Sequence, residues 1–404
     1  MRILIVGINY APELTGIGKY TGEMAEWLVA AGHEVRIVTA PPYYPEWRVA
    51  DGYAAWRYSR EVQAGVSIWR CPIWVPSRPS GLKRLLHLAS FALSSLPVMV
   101  RQLFWQADVI LAIEPPLFCA PAAWVCARLS GAKAWLHVQD FEVDTAFELG
   151  ILRAPWLRSI VSKLESWLMR RFDRVSTISP NMVRRLIQKK LAAERTVLFT
   201  NWVDTDLIFP LTSSSSVRQQ FDIPLNAMVA LYSGNMGEKQ GLEIVLEAAT
   251  RLICEQDIKF VLCGDGAARQ RLQQKYSDLS NVLWLPLQPL ERLNDLLNMA
   301  NIHLLPQRSG AEDLVMPSKL TGMLASGRPV VATATAGSQI AEALLGCGEV
   351  VEPDNIEHFT SAIVELARDD ARCAVLGANA REYALRNWAR ESVLQEFDRQ
   401  LKGL

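Results

Sequence analysis

Short apolar runs of strand type, each closed by a glycine- or acid-bearing turn and followed by a stretch with helical spacing, recur along the whole chain. That alternation constrains the fold more than any other feature, because strands joined through helices pair in parallel and build a sheet covered on both faces. The clearest unit runs from Met228 to Ala248. Met228–Tyr232 is the strand run, and Leu242, Ile244, Val245 and Ala248 repeat with helical spacing. Between them lies Ser233-Gly234-Asn235-Met236-Gly237-Glu238-Lys239-Gln240-Gly241. Glycines let backbone approach a ligand, a helix starting near Gly237 offers unpaired N–H groups and a positive dipole end, and Lys239 adds an ammonium. Phosphate suits such a loop. An ordinary βα turn with a surface lysine accounts for the loop alone equally well.

The pattern starts at the N-terminus. Arg2–Gly7 reads as a buried strand, Gly16-Ile17-Gly18-Lys19-Tyr20-Thr21-Gly22 opens a helix running to about Ala31, and Val35–Thr39 is the next strand. A dinucleotide-binding dehydrogenase places its glycines directly after the first strand and an acid at the end of the second. Here the glycines come late and the second strand ends in Thr39-Ala40-Pro41-Pro42, which argues against an oxidoreductase. Further strands are expected at Val109–Ile113, Lys133–Val138, Arg174–Ile178 and Thr196–Phe199, with a basic helix over Trp156–Phe172. Ligands of doubly wound sheets sit beyond the carboxyl ends of the strands. The loop Gln139-Asp140-Phe141-Glu142-Val143-Asp144 is therefore a candidate cleft edge, although its carboxylates alone would also suit a solvated loop. No His/Cys cluster accompanies them, so no metal is expected.

After the polar run Leu211–Ser216 the pattern restarts, with strands at 228–232, Lys259–Cys263 (closed by Gly264-Asp265-Gly266), Val282–Leu285, Ile302–Leu305 and Val330–Thr333. At 404 residues the chain exceeds a single core. The division expected is 1–205 and 206–380, with a terminal helix over 381–404 packing back toward the first domain. Residues 41–80, rich in Pro, Tyr and Trp, read as a long ordered loop whose aromatics pack or stack on a sugar. Leu82–Trp105 reads as an apolar helix with basic ends, short for a membrane span and interrupted by Pro97. It suits a membrane interface or a core. Residues 1–200 hold 24 Lys/Arg against 16 Asp/Glu, and 201–404 hold 18 against 26, so the first half suits an anionic partner or simply the acidic second half. Seven cysteines without a CxxC pair, and an opening apolar run too short for a signal peptide, suit a reduced cytoplasmic chain.

The ordered set GIGKYTG, NWVD, SGNMGEKQGL, CGDG and PSKLTGMLASGRPVVAT resembles the retaining, two-domain glycosyltransferases of family four over nearly the whole chain. The strings NYAPELTGIGKYTGEM, TAPPYYPEW and LKRLLHLASF are most similar to the colanic acid (exopolysaccharide) fucosyltransferase branch. The resemblance implies an α/β fold of GT-B type, two Rossmann-like doubly wound domains facing across a cleft. It implies a nucleotide-sugar donor such as GDP-fucose and a polyprenyl-diphosphate-linked saccharide acceptor at the inner face of the cytoplasmic membrane, with neither cofactor nor nucleic acid. Lys239, Lys319 and Asp140 would then be the catalytic groups. Gly234, Gly237, Ser318 and Leu320 would meet the sugar-phosphate, Asp265 and Gly266 the base or ribose, and Gly16, Ile17 and Gly18 the N-domain loop.

The chain departs from the family pattern at several places. Asn235 stands where many relatives carry Arg. The family's Glu-x7-Glu pair falls in register on Leu314 and Gly322, with Glu312 and Asp313 beside it as substitutes. Gln139 stands at the usual histidine, with His137 two residues earlier, so His137, Gln139 and Glu142 are candidates for the acceptor side. A UDP-sugar-dependent transferase, a nucleotide-sugar 2-epimerase and a non-catalytic assembly partner share the fold and stay open.

Overall fold

The computed structural model describes residues 1–77, 81–148, 155–212, 216–308 and 318–404. The chain forms two compact units, Met1–Thr200 with Leu394–Leu404, and Asn201–Val393. The break thus falls before residue 205, and only the last part of 381–404 returns to the first unit.

In the first unit, strands β1 (Arg2–Val6), β2 (Glu34–Thr39), β3 (Ser59–Gln63), β4 (Val66–Arg70), β5 (Val109–Glu114), β6 (Lys133–Val138), β7 (Arg174–Thr177) and β8 (Thr196–Leu198) form one sheet. Its order is β3-β4-β2-β1-β5-β6-β7-β8, parallel except at the β3–β4 pair. The helices are α1 (Gly16–Ala30), α2 (Gly81–Gln102), α3 (Ala120–Ser130), α4 (Glu142–Glu148), α5 (Pro155–Met169) and α6 (Pro180–Gln188). β5 is buried at every position, as a strand covered on both faces must be.

Two expectations change here. Residues 41–80 are not all loop, because β3 and β4 form a hairpin and β4 joins β2 in parallel. β3 is a polar edge strand, SREVQ, with no apolar run to announce it. In β4 the buried Arg70 is held by Glu61 at 2.6 Å and by the carbonyl oxygens of Ala40 and Ala11 at 3.0 and 2.8 Å. The aromatics of this region divide: Tyr43 and Trp69 are buried, and Tyr43, Trp47 and His87 of α2 meet edge to face or tilted with ring centroids 4.7–5.8 Å apart, whereas Tyr44, Trp56, Tyr58 and Trp74 are exposed. The second change is that Pro97 does not interrupt α2. By length and composition the helical stretch Gly81–Trp105 could cross a membrane. Its inner face nevertheless packs Leu88, Phe91, Val98 and Met99 into the core of the unit.

The second unit carries α7 (Ser216–Gln220), β9 (Met228–Ser233), α8 (Glu243–Arg251), β10 (Ile258–Cys263), α9 (Arg269–Lys275), β11 (Val282–Leu285), α10 (Leu293–Asn298), β12 (Ile302–Leu305), α11 (Ser318–Ala325), β13 (Val330–Thr333), α12 (Gln339–Ala343), β14 (Gly348–Val351), α13 (Ile356–Ala367) and α14 (Asp370–Trp388). Helix α15 (Arg390–Lys402) ends the chain. The parallel sheet runs β11-β10-β9-β12-β13-β14. The chain steps outward from β9 to β11 and then crosses to β12 on the other side of β9, so the topological switch point lies between β9 and β12. That is where doubly wound sheets open a crevice for ligands. α14 stays in this unit and packs on α11. From α15, Phe397 stacks on Phe199 with ring centroids 4.1 Å apart, and Asp398 lies 2.8 Å from His33, both in the first unit.

Candidate functional site

The carboxyl ends of β9 and β10 carry two glycine loops pressed backbone to backbone. Gly264 has φ 143°, and a Cβ there would stand 2.0 Å from the carbonyl oxygen of Gly234. Gly266 has φ 152°, and its Cβ would come within 2.6 Å of the Asn235 side chain and the Met236 carbonyl. Only glycine allows both the torsion and the approach. Met236 N–H donates to Asp265 O at 2.7 Å, and Ala268 N–H donates to Met236 O at 2.9 Å. Arg269 ties the rim by donating to Gly264 O at 2.8 Å. Asp265 is exposed and turns one carboxylate oxygen back on Gly266 N–H at 2.8 Å.

Across the switch point, α11 begins with exposed Ser318 and partly buried Lys319. Lys319 reaches back to β9: its ammonium donates to the Tyr232 hydroxyl at 3.2 Å and lies 4.3 Å from the ring centroid. Tyr232 in turn donates to the carbonyl oxygen of Asn235 at 2.5 Å. One phenol therefore fixes both the glycine loop and the lysine. Burial lowers the Lys319 pKa to about 7. An ammonium so poised gains charge when an anion arrives. The N-terminus of α11 adds its unpaired N–H groups at the same end.

Sequence reasoning missed Tyr232. A tyrosine that alternates with Met228 and Ala230 toward the core, two residues before a glycine loop, needs a partner for its hydroxyl, and that was the available signal. Gly237 does not begin the helix expected of it. It precedes one turn of 3-10 helix, Glu238–Gln240, after which Gly241 at φ 61° breaks the run and α8 starts only at Glu243. The dipole assigned to Gly237 is thus that of a single turn. Glu238 and Glu243 at this end are instead laced to Arg271 and Arg308 at 2.7–3.4 Å. Lys239 lies in that turn; its side chain, Glu312 and Asp313 lie outside the described residues. Leu320 buries its side chain in the core, leaving its backbone as the group near a ligand.

In the first unit, Gly16, the first residue of α1, is exposed at φ 59° and Ile17 is partly buried. Gly18 serves packing, since a Cβ there would lie 2.5 Å from the carboxylate of Glu13. Glu13 accepts from the backbone N–H groups of Tyr43 and Tyr44 at 3.0 Å and from Asn9 at 2.9 Å, and burial raises its pKa. Asp140 is partly exposed at the end of β6. His137 is enclosed: Nδ1 lies 2.8 Å from Ser176 Oγ, Nε2 lies 3.0 Å from Gln139 Nε2, and the ring meets Phe199. Burial drops its pKa to about 3, so it is a neutral strand-pairing residue and Gln139 is its partner. Glu142 is also turned inward, accepting from Leu117 N–H at 2.9 Å beside the fully buried Glu114, and burial raises both pKa values. Of the first-unit candidates, Gly16 is exposed and Ile17, Asp140 and Glu142 are partly exposed, Glu142 with its carboxylate held by Leu117 N–H. Among the described residues no group of three His, Cys, Asp or Glu could hold a metal ion.

Two doubly wound units, one with a lysine and paired glycine loops at its switch point, define the class as the GT-B glycosyltransferase fold. Residues 15–202 match the glycosyl transferase 4-like domain and residues 227–369 match glycosyl transferases group 1, so the chain belongs to this family of glycosyltransferases. It is 44% identical, over 100% of both chains, to WcaI of Escherichia coli (strain K12), whose name places it provisionally among colanic acid biosynthesis glycosyl transferases. In fold it is similar to sucrose-phosphate synthase of Thermosynechococcus elongatus, with TM-score 0.78 and 16% identity over 100% of this chain and 98% of that one. It is likewise similar to HepE of Anabaena, solved with UDP, with TM-score 0.75 and 16% identity over 100% of both chains.

Proposed function

We propose that the protein transfers a sugar from a nucleoside diphosphate to a polyprenyl-diphosphate-linked saccharide at the inner face of the cytoplasmic membrane, with retention of anomeric configuration. The donor in this reading is GDP-fucose and the pathway is colanic acid (exopolysaccharide) synthesis. The observation that carries it is the Lys319–Tyr232–Asn235 chain at the switch point of the second unit, a desolvated cation beside two glycine loops. The full-length likeness to WcaI supports the pathway, and the strings around residues 9–24, 39–47 and 82–91 support the sugar.

In this chemistry the bond between the sugar C1 and the diphosphate oxygen breaks while the acceptor hydroxyl oxygen bonds to C1 from the same face, and the hydroxyl proton passes to the departing phosphate. The protein's task is then electrostatic: to bind the diphosphate more tightly as its charge grows. Lys319, Lys239 and the N–H groups opening α11 are the groups for it, and Asp140 orients the acceptor. The reading calls for no metal and no separate base.

The test is nucleoside diphosphate release from a panel of GDP- and UDP-sugars, with and without membrane extract containing undecaprenyl-linked saccharides. Acceptor-dependent GDP release from GDP-fucose is expected. Release from UDP-sugars alone would overturn the donor, and turnover of donor without acceptor would overturn the transferase reading.

A further inference from the structure

Helices α2, α3 and α5 cover one face of the first unit's sheet, burying Phe91, Ala123 and Leu168 in a single core. Their outer surface is unusual for a face turned to water. On α2 and the turn after it, Leu82, Leu86, Leu93, Val100 and Phe104 are all exposed, Phe104 at 85%, and their spacing places them on one stripe. On α5, Trp156, Ile160, Leu164 and Trp167 form a second exposed stripe. α3 joins the two through exposed Val125 and Leu129 and through Trp124, whose ring centroid is 6.5 Å from that of Trp167. The exposed charges on these helices themselves are, among the described residues, of one sign. Lys83, Arg101, Arg128, Arg158, Lys163 and Arg170 are exposed on or beside these helices, and among the described residues none of the six forms an ion pair. α2 and α3 contain no Asp or Glu. The sole acid of α5, Glu165, is 1% exposed and turned inward onto Lys189 at 2.5 Å.

We propose that this three-helix face seats in an anionic phospholipid leaflet, its two apolar stripes entering the acyl boundary and its cations lying at headgroup level. Aliphatic and tryptophan side chains interleaved with unpaired Lys and Arg are what that boundary accepts. Tyr58 and Trp74 flank α2 as half-exposed aromatics. The Tyr58 hydroxyl donates to Ser94 O at 2.9 Å, and Trp74 N–H donates to Ser90 Oγ at 3.0 Å. A second copy of the chain fits less well, because a two-fold pairing would set these cations against their own kind with no acid between them. α2 lies on the bilayer surface and does not cross it, since its other face is core. The inference rests on the proposed membrane-side acceptor for its purpose and is measured apart from transfer.

Full-length protein is co-sedimented with vesicles of phosphatidylcholine alone and of phosphatidylcholine with phosphatidylglycerol. Binding is expected only with the anionic lipid, weakening as salt rises. Arg101→Gln with Lys163→Gln, both exposed, should weaken it about 30-fold. Leu93→Asp should weaken it further while keeping its far-ultraviolet circular dichroism and its diphosphate release with a detergent-dispersed acceptor. Binding indifferent to lipid charge, or unchanged in the double variant, would overturn the assignment. So would a lipid-free dimer that Leu93→Asp dissociates. A protein that binds anionic vesicles but transfers nothing would support this face and count against the proposed function alone.

Discussion

Replacing Lys319 by Met should make the protein more stable and less active at once. The ammonium donates to the Tyr232 hydroxyl at 3.2 Å, and burial takes its pKa from 10.5 to about 7. The unfolded chain therefore binds a proton that the folded chain gives up anywhere between those values. Stability attributable to this side chain rises with pH from about 7 to 10.5, and the full penalty applies below 7. The shift sets that penalty at about 4 kcal/mol near pH 7 as an upper bound, and solvent at the partly exposed ammonium reduces it to roughly 2 kcal/mol. Met keeps the length and the contact with the Tyr232 ring while removing the charge. Chemical denaturation of both proteins from pH 6 to 10 should show Lys319→Met more stable at neutral pH, the gap closing toward pH 10. Donor turnover should fall about 30- to 1000-fold, the worth of one preorganised diphosphate contact, roughly 2–4 kcal/mol. Parallel pH–stability curves would refute the burial argument, and near-normal turnover would refute the assignment to the diphosphate.

Tyr232→Phe keeps the ring but loses the hydroxyl that fixes Lys319 and the Asn235 carbonyl, so kcat/KM for donor should drop roughly tenfold with little change in Tm; an unchanged value would contradict the positioning role. Gly264→Ala would force a Cβ against Gly234 at φ 143° and should lower stability by roughly 2–4 kcal/mol by thermal melt. His137 and His303, both with pKa about 3, refuse protons that the unfolded chain accepts below about 6.5. Stability should therefore fall on acidification by about 1.4 kcal/mol per pH unit for each. His137→Gln should flatten that slope while leaving the shape of the pH–rate profile between 5 and 8 unchanged. Activity should survive EDTA; its loss, with recovery on adding a divalent cation, would contradict the metal-free reading.

Most of the parallel strands were legible because buried on both faces they read as apolar runs, although β4 and β14 went unread, and their glycine turns mark where chain and ligand meet. β3 was hidden because a solvent-facing edge strand such as SREVQ owes its conformation to pairing with β4, not to its own pattern. Pro97 misled in the other direction, since packing of α2 on the core carries the helix past a residue that would end it in isolation. The glycine loop after β9 could be read from its residues, and Lys319 was named through the family resemblance of the run around it. What held them could not, because Tyr232 and Lys319 are far apart in sequence and meet only through the β9–β12 crossover. For the same reason His137 read as a site candidate: a histidine near the end of a strand looks the same whether it faces a cleft or Ser176.

The most direct measurement is a crystal structure of the full chain with GDP-fucose or its product GDP. The account predicts the diphosphate within hydrogen-bond distance of Lys319 Nζ and the N–H groups opening α11, against the Gly234–Gly237 loop. A nucleotide bound elsewhere, with the Lys319–Tyr232 contact undisturbed and facing empty solvent, would contradict it.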